Sequence, residues 1–272
     1  MYNLKINKVI FAVAKLEPYI IRYEFAEYEM KGIIWNPWHG CHRCSEGCAH
    51  CFVFYLDGKR GVDSDTVRRS KTNFQLPLKK DRVGNYKVVS GTEVATCFTS
   101  DFFIEEADEW RREAWDIIKR RKDLNFLICT KRIKRAQACL PDDWNGGYEN
   151  VAIAVSCENR RAAETRLPYL IELPAKKRYA FLSPILEYVP LENYLSGGFI
   201  DMVSVGGESY DNARPCDFEW IKKVRADCDK YGVKFDFHQT GSNFVYNGRQ
   251  YSIKHRDEYS QAKKAMEFLR KQ

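Results

Sequence analysis

The sequence predicts an α/β protein built as a partial parallel (β/α) barrel of six or seven units. After a cysteine-rich segment at residues 41–51, short apolar runs alternate with amphipathic stretches at helical spacing. Strands that alternate with single helices pair in parallel, since each helix carries the chain back to the same edge of the sheet. No Gly-x-Gly-x-x-Gly motif follows the first strand, which disfavours an open dinucleotide-binding sheet.

Hydrophobic periodicity defines the individual elements. The predicted strands are 92–99, 125–130, 151–155, 178–182, 202–205 and 233–237. The predicted helices are 105–121, 131–139, 158–170 and 217–230. Pro168 is expected to end or kink the third of these helices, because proline removes a backbone donor.

The chain organisation predicts one large core in 272 residues. We expect residues 1–30 to form an N-terminal extension and residues 31–272 the barrel, with a basic insertion around 59–90. The apolar run at 9–14 is too short for a signal-peptide core or a membrane span. A cytoplasmic protein without membrane association is therefore the expectation.

Four cysteines lie within eleven residues: Cys41, Cys44, Cys48 and Cys51. The last three have the spacing Cys-x3-Cys-x2-Cys. Three thiolates on one loop can hold three irons of a 4Fe–4S cluster and leave the fourth iron open to an exogenous ligand. In radical-SAM enzymes, which have this spacing, that ligand is S-adenosylmethionine (SAM).

The cysteines are compatible with two other interpretations. A zinc site could use all four thiols, or three with a nearby histidine (His39, His42 or His50), although zinc usually takes two knuckles separated by a longer loop. A disulfide framework is disfavoured, because the remaining six cysteines are dispersed and no secretory signal is visible.

Polar residues follow nearly every predicted strand, where the chemistry of a parallel barrel gathers. The candidate cofactor-binding residues at these positions are Asp101, Lys131, Ser156, Glu158, Asn159, Gly206, Gly207, Glu208 and Gln239. Each alone is compatible with a helix cap or a solvated helix start. Their recurrence beside the cysteines favours one shared pocket.

Several sequence blocks also resemble a known family. They are Trp35-Asn36-Pro37-x-x-Gly40-Cys41, Ser45-x-Gly47-Cys48-x-x-Cys51, residues 127–132, Ser156-x-Glu158-Asn159, Gly206-Gly207-Glu208-Ser209 with Ala213-Arg214, and Gln239-x-Gly241. This order resembles the phage-associated three-Cys-motif proteins, a family catalogued as a domain of unknown function and thought to be radical-SAM-like. The resemblance covers residues 31–272.

The resemblance changes the expected set of metal ligands. The family pattern Gly-Cys-x6-Cys-x2-Cys falls on Cys41, Cys48 and Cys51, and this set is favoured because the preceding block aligns without gaps. The usual radical-SAM spacing leaves Cys44 as the alternative third ligand.

The charges of the strand-end residues, and the strands that they follow, predict which part of the cofactor each one contacts. We expect Lys131 to pair with the carboxylate of SAM and Asp101 with its ammonium group, with Ser156 also facing SAM. A Gly-Gly-Glu segment often follows the second strand of radical-SAM enzymes, whereas here residues 206–208 follow the much later predicted strand 202–205. This segment is therefore assigned to the wall of the cofactor or substrate pocket.

The predicted function is that of a radical-SAM enzyme with a 4Fe–4S cluster and SAM as cofactors. Such an enzyme cleaves SAM and abstracts a hydrogen atom from its substrate, and it needs a reductant such as ferredoxin or flavodoxin. The alternative is a zinc- or iron–sulfur-stabilised nucleic-acid-binding module without SAM chemistry. The sequence names neither the substrate nor the product of the predicted radical-SAM reaction.

The basic insertion leads to a weaker expectation about partners. Residues 59–87 contain nine Lys or Arg, and Phe74 and Tyr86 lie among them as candidate stacking platforms for bases. A nucleic acid or a nucleotide-derived group is therefore a possible substrate. An ordinary solvated surface explains the same residues.

Overall fold

The computed structural model describes residues 20–25 and 28–270. The strands are β1 (Ile20–Phe25), β2 (Tyr28–Trp35), β3 (Trp38–His39), β4 (Arg68–Arg69), β5 (Glu93–Thr96), β6 (Asn125–Thr130), β7 (Val151–Ser156), β8 (Lys177–Leu182), β9 (Met202–Gly206), β10 (Cys216–Asp217), β11 (Lys234–Gln239), β12 (Asn243–Tyr246) and β13 (Arg249–Ser252). The α-helices are α1 (Phe52–Lys59), α2 (Asp108–Arg120), α3 (Ile133–Ala136), α4 (Arg160–Glu172), α5 (Glu192–Leu195), α6 (Phe218–Tyr231) and α7 (Glu258–Arg270).

One eight-stranded sheet organises the part of the chain that the structure describes. Its strand order is β1-β2-β5-β6-β7-β8-β9-β11. The seven strands from β2 to β11 pair in parallel, and β1 pairs antiparallel with β2. Residues of the edge strands β1 and β11 approach within 8 Å between Cα atoms, so the sheet curls towards closure. The predicted partial parallel barrel with six or seven units is confirmed.

The two faces of the sheet have different side chains because strand residues alternate between faces. Val94, Ile128, Val155 and Val205 are fully buried. The opposite, concave face carries smaller and more polar residues, of which Ser204 pairs in register with Asp236 across β9 and β11. Apolar burial against the helices stabilises the barrel, while the concave face is left for polar groups.

Most predicted elements agree with the observed ones to within a few residues, as expected for boundaries that fray. The predicted strand 92–99 is shorter in the structure, because the chain turns at Cys97 with a φ of 64°. The predicted helix 131–139 is only one turn, Ile133–Ala136, followed by a 3-10 turn. Helix α4 continues through Pro168 to Glu172, so the proline does not end it.

Three features of the fold were absent from the sequence-based prediction. Strand β2 lies before the cysteines and pairs with β5. A small sheet joins β10, β12 and β13. Helix α7 packs against β11. The predicted boundary at residues 30 and 31 falls inside β2, and the apolar run at 9–14 lies outside the described residues.

The basic insertion at residues 59–90 is folded onto the barrel. Phe74 is 3% exposed and belongs to the core, so it is not accessible for stacking on bases. The Arg121 guanidinium is fully buried and donates to the carbonyl of Val88 at 2.8 Å and to that of Pro77. Tyr86 is exposed, but the Arg121 guanidinium covers one face of its ring. No helix in the described ranges is long and apolar enough to cross a membrane.

Candidate functional site

The cysteine loop lies on the carboxyl ends of the parallel strands. The indole nitrogen of Trp38 donates to the Asp101 carbonyl at 3.1 Å, and the Gly40 nitrogen donates to the Thr99 carbonyl at 3.1 Å. Gly40 has a φ of 96°, and a Cβ there would lie 2.3 Å from the Thr66 carbonyl oxygen. Glycine is therefore required for the chain to enter the loop at this point.

Asp101 organises the first strand end beneath the loop. Its buried carboxylate accepts hydrogen bonds from the Thr130 hydroxyl (2.7 Å) and from the backbone nitrogens of Phe103 (3.0 Å) and Lys131 (2.9 Å). The Arg132 guanidinium lies 3.3 Å from the same carboxylate. Both carboxylate oxygens are thus occupied by groups of the protein.

Arg132 connects Asp101 to the cysteine loop. It donates to the Cys41 sulfur at 3.6 Å and to the His42 carbonyl at 2.8 Å. Burial raises the pKa of Cys41 to about 11, although the adjacent Arg132 charge acts in the opposite direction. Arg132 follows Lys131 in the same Thr-Lys-Arg block, but its sequence position alone predicted no role for it.

Lys131 places a cation beside the thiols. Burial alone would lower its pKa, but negative charge on Cys48, Cys129, Glu158 and Cys51 raises the pKa above the ordinary lysine value. Among the described residues, its ammonium makes no hydrogen bond and no ion pair shorter than 4 Å. The site therefore contains a half-buried cation beside the cysteines that is free to bind an anion.

Cys48 interacts with two neighbours in the loop, the Ser45 hydroxyl at 3.8 Å from its sulfur and the Cys44 thiol. The interaction with Cys44 lowers the pKa of Cys48 well below the usual range for a thiol, against the effect of burial. The same contact, together with burial, raises the pKa of Cys44. Cys48 is buried whereas Cys44 is exposed, so only one thiol of the pair faces the protein.

Glu158 fixes the 3-10 turn Glu46–Cys48 of the loop. It is 1% exposed, accepts from the Gly47 nitrogen at 3.2 Å and pairs with Arg166 at 2.7 Å. Burial alone would raise the pKa of Glu158, but the Arg166 charge and further hydrogen bonds lower it. A Cβ on Gly47 would lie 2.9 Å from the Glu158 carboxyl carbon.

A second ion-pair network holds the other side of the turn. Buried Glu208 binds Arg214, whose guanidinium also donates to the Glu46 carbonyl at 3.0 Å and to its carboxylate at 3.2 Å. The amide of Asn159 donates to the Glu46 carboxylate at 2.9 Å, while its oxygen caps helix α4. The loop is thus tied to the ends of β7 and β9.

The remaining predicted residues lie nearby and make internal contacts. Ser156 is 3.4 Å from the Cys129 sulfur. Cβ atoms at Gly206 and Gly207 would lie 2.4 Å from His238 Nε2 and 2.3 Å from the Thr240 carbonyl oxygen, so both glycines permit close packing of β11. Gln239 donates to the Gly207 carbonyl at 2.7 Å. The roles of all nine residues towards a cofactor stay predictions.

The donor set of the loop fits an iron–sulfur cluster. All ten cysteines are free thiols, and four of them lie on this loop beside Lys131 and Arg132, whose charges offset thiolate charge. The hydroxyl of Thr99 is buried at the loop with no partner in the described ranges, which marks a place for a further polar group. Within these ranges, no three His, Cys, Asp or Glu side chains are arranged to hold a metal ion.

A second polar group on the concave face was not predicted from the sequence. Ser204 donates to Asp236 at 3.0 Å and lies 3.0 Å from His238 Nδ1, while His238 Nε2 is 3.3 Å from the Ser183 hydroxyl. Burial raises the pKa of Asp236 to about 6 and lowers that of His238 to about 4. The alternation of Asp236 and His238 along β11 was a signal for this group.

The fold and the site define a parallel partial α/β barrel with a four-cysteine loop at the carboxyl ends of its strands. Residues 26–267 match the family described as "Protein of unknown function (DUF5131)", and the chain belongs to that family. Curated proteins gave no match. Among solved structures, the chain is similar to a variant of spore photoproduct lyase, with 11% identity, a TM-score of 0.45, and coverage of 92% of this chain and 75% of that one. A similarity at this level carries no argument about chemistry.

Proposed function

We propose that the protein is a radical-SAM enzyme that uses a 4Fe–4S cluster bound by the cysteine loop. The observation that carries this proposal is the position of the loop. Hydrogen bonds hold it against the carboxyl ends of β5, β6, β7 and β9, and the unpaired Lys131 ammonium lies beside its thiols. This edge is where parallel barrels place their reacting groups.

Cys41, Cys48 and Cys51 would hold the cluster, with Cys44 as the alternative to Cys41. When bound, the cluster supplies the electron that cleaves SAM and so generates the radical that abstracts hydrogen from the substrate. Cys48 is the best-prepared ligand, because its lowered pKa favours the thiolate, which is the form that binds metal.

Lys131 and Asp101 would have different tasks in this site. Lys131 has an unpaired ammonium and suits the carboxylate of SAM. Asp101 was expected to bind the ammonium group of SAM, but its oxygens are engaged with Thr130, Lys131 and Phe103. We therefore propose that Asp101 fixes the Lys131 backbone and the Arg132 guanidinium.

The substrate is proposed to be a nucleic acid or a nucleotide-derived group. Exposed cations of the insertion support this proposal, namely Lys80, Arg82 and Lys87, together with the half-buried Lys79. Phe74 takes no part, because it is buried. A reductant such as ferredoxin or flavodoxin would supply the electron.

Anaerobic reconstitution with iron and sulfide tests the enzymatic proposal. We expect about four irons per chain, a brown protein absorbing near roughly 400 nm, and 5′-deoxyadenosine formed from SAM with dithionite. Cys139→Ala is the matched control, since it removes a half-buried thiol outside the loop and should change none of these results. A colourless protein with tightly bound zinc and no 5′-deoxyadenosine would overturn the proposal in favour of the binding module.

A further inference from the structure

A cavity of about 490 Å³ lies between the small sheet and the segment that follows β9. Its lining is mostly polar and includes Tyr210, Asn212, Asn243, Gln250, Lys254 and His255. The volume lies within the range of small-ligand sites. None of the residues predicted from the sequence as metal ligands or cofactor-binding residues lines this cavity.

Three aromatic rings form a stack at one side of the cavity. Tyr210 lies between Tyr55 of α1 and His255, with ring centroids 4.6 Å and 4.3 Å away. Tyr210 has a φ of 74°, a conformation that is unfavourable for a bulky residue and tends to mark functional sites. His255 ends the stack with its side chain 53% exposed, so a planar ligand ring has access to it.

Buried Glu258 holds this arrangement in place. Its carboxylate accepts from the hydroxyls of Ser209 and Ser242, both at 2.6 Å, and lies 3.1 Å from His255 Nδ1. The Ser242 hydroxyl in turn accepts from the Tyr210 backbone nitrogen at 2.8 Å. The strained tyrosine is therefore fixed by a hydrogen-bond network, which is the condition under which strain persists.

One lining residue has binding capacity that the protein does not use. The ammonium of Lys254 is exposed and has no hydrogen bond or ion pair within the described ranges. The nearby Asp211 is 3.7 Å from Lys59, so a cation already offsets its charge.

We propose that this cavity binds a nucleotide unit. The aromatic stack receives the planar base on the exposed ring of His255, and Lys254 binds the phosphate. The proposal does not depend on the cysteine loop or on SAM. The unit is either a free nucleotide or one residue of a single strand, since both present the same base and phosphate.

Equilibrium binding to the full-length protein, without added iron or SAM, tests the proposal. The probes are the four common ribonucleoside monophosphates, the corresponding nucleosides, and single-stranded oligonucleotides of mixed sequence. We expect a monophosphate to bind several-fold more tightly than its nucleoside. An oligonucleotide that binds more tightly than every monophosphate assigns the site to a strand, and the reverse order assigns it to a free nucleotide.

Variants of two lining side chains make the test specific. Lys254→Ala should make the monophosphate and the nucleoside bind alike, and His255→Ala, which removes the exposed ring of the stack, should weaken both about tenfold. Lys264→Ala removes an exposed lysine that does not line the cavity and should bind like the wild type. If His255→Ala unfolds, the exposed Lys254 decides alone. Absence of binding at millimolar nucleotide, or wild-type binding by Lys254→Ala, would overturn the proposal.

Discussion

Glu158 accepts a hydrogen bond from the backbone nitrogen of Gly47, over 3.2 Å and across 111 residues of sequence. The contact joins the end of β7 to the turn that carries Cys48. Because Glu158 is buried and paired with Arg166, its position is set by the barrel and not by the loop. The cysteine loop therefore takes its position from the fold beneath it.

Gly47→Ala should displace the cysteine loop. The added Cβ would lie 2.9 Å from the Glu158 carboxyl carbon, and because Glu158 is held in a buried ion pair with Arg166, the loop is the side that must move. We expect a loss of about 1–3 kcal/mol in the free energy of unfolding, measured with urea, and a lower iron content after reconstitution. Gly58→Ala is the control, because a Cβ there meets nothing within 4 Å and alanine favours helix α1. Equal stability of the two variants would contradict the prediction.

Arg166→Met should make the protein sensitive to acid. The pKa of Glu158 is lowered in the folded state, so the stability it contributes is present above its ordinary pKa of 4.5 and is lost as the pH falls through the lower, folded value. Without Arg166, burial raises this pKa and the loss begins at higher pH. We expect about 3–5 kcal/mol of destabilisation at neutral pH, measured by urea unfolding from pH 4 to 7. The double variant with Glu158→Gln should lose this added pH dependence. If Arg166→Met lost stability at the same pH as the wild type, the prediction would be wrong.

Substitution of single cysteines should distinguish the two possible ligand sets. Cys44 is exposed and Cys41 is half buried against Arg132, so we expect Cys44→Ala to keep the iron and Cys41→Ala to lose it. Iron content and absorbance per chain after anaerobic reconstitution give the answer. The opposite result would assign the third ligand to Cys44.

Asp236 and His238 should have opposite effects on the pH dependence of stability. Asp236 keeps its proton to about pH 6 in the folded state, so its contribution falls as the pH rises from 3.8 to about 6. His238 stays neutral to about pH 4, so its contribution falls as the pH drops from 6.5 to about 4. In the wild type the contributions of these two groups should therefore largely cancel in this window.

Asp236→Asn and His238→Gln should each expose one of these two effects. As the pH rises from 4 to 6, the free energy of unfolding of Asp236→Asn should increase by up to about 1.4 kcal/mol per pH unit, because only the His238 effect remains. Over the same range, the free energy of unfolding of His238→Gln should decrease, because only the Asp236 effect remains. Urea midpoints across this range measure both slopes. Two variants whose curves run parallel to that of the wild type would show that these groups do not titrate as described.

Charge reversal on the insertion tests the nucleic-acid proposal. Arg69 pairs with Glu113 and Arg68 bonds to backbone carbonyls, so the informative positions are Lys79, Lys80, Arg82 and Lys87. Reversing these four should flatten the salt dependence of DNA or RNA binding, because each phosphate contact releases a counterion. SAM cleavage without substrate should be unchanged. Wild-type protein that binds neither nucleic acid at low salt would rule the proposal out.

The sequence predicted the parallel strands well, because buried strands such as Asn125–Thr130 are short apolar runs bounded by polar residues. It did not predict β2, Tyr28–Trp35, in which Glu29, Lys31 and Gly32 interrupt the apolar pattern. The short β10 and β13 carry too few apolar residues to be recognised. Such strands are defined by pairing partners distant in sequence.

The sequence also predicted that residues at the strand ends lie near the cysteine loop, but it could not assign their contacts. Asp101 was assigned to a ligand, yet its carboxylate is occupied by Thr130 and backbone nitrogens. Arg166 lies eight residues after Glu158, and only the helix and its packing make them an ion pair. Phe74 was a candidate for base stacking because its neighbours are basic, and its burial in the core was not visible locally.

Helix α1 begins immediately after Cys51 and carries Tyr55 into the stack with Tyr210. Cys51 and Tyr55, one turn of helix apart, thus belong to different sites, the cysteine loop and the cavity. A ligand that holds either end restricts the other, and thermodynamic linkage makes the effect reciprocal. Reconstituting the loop should therefore change the affinity of the cavity by the same factor by which filling the cavity changes the affinity for iron.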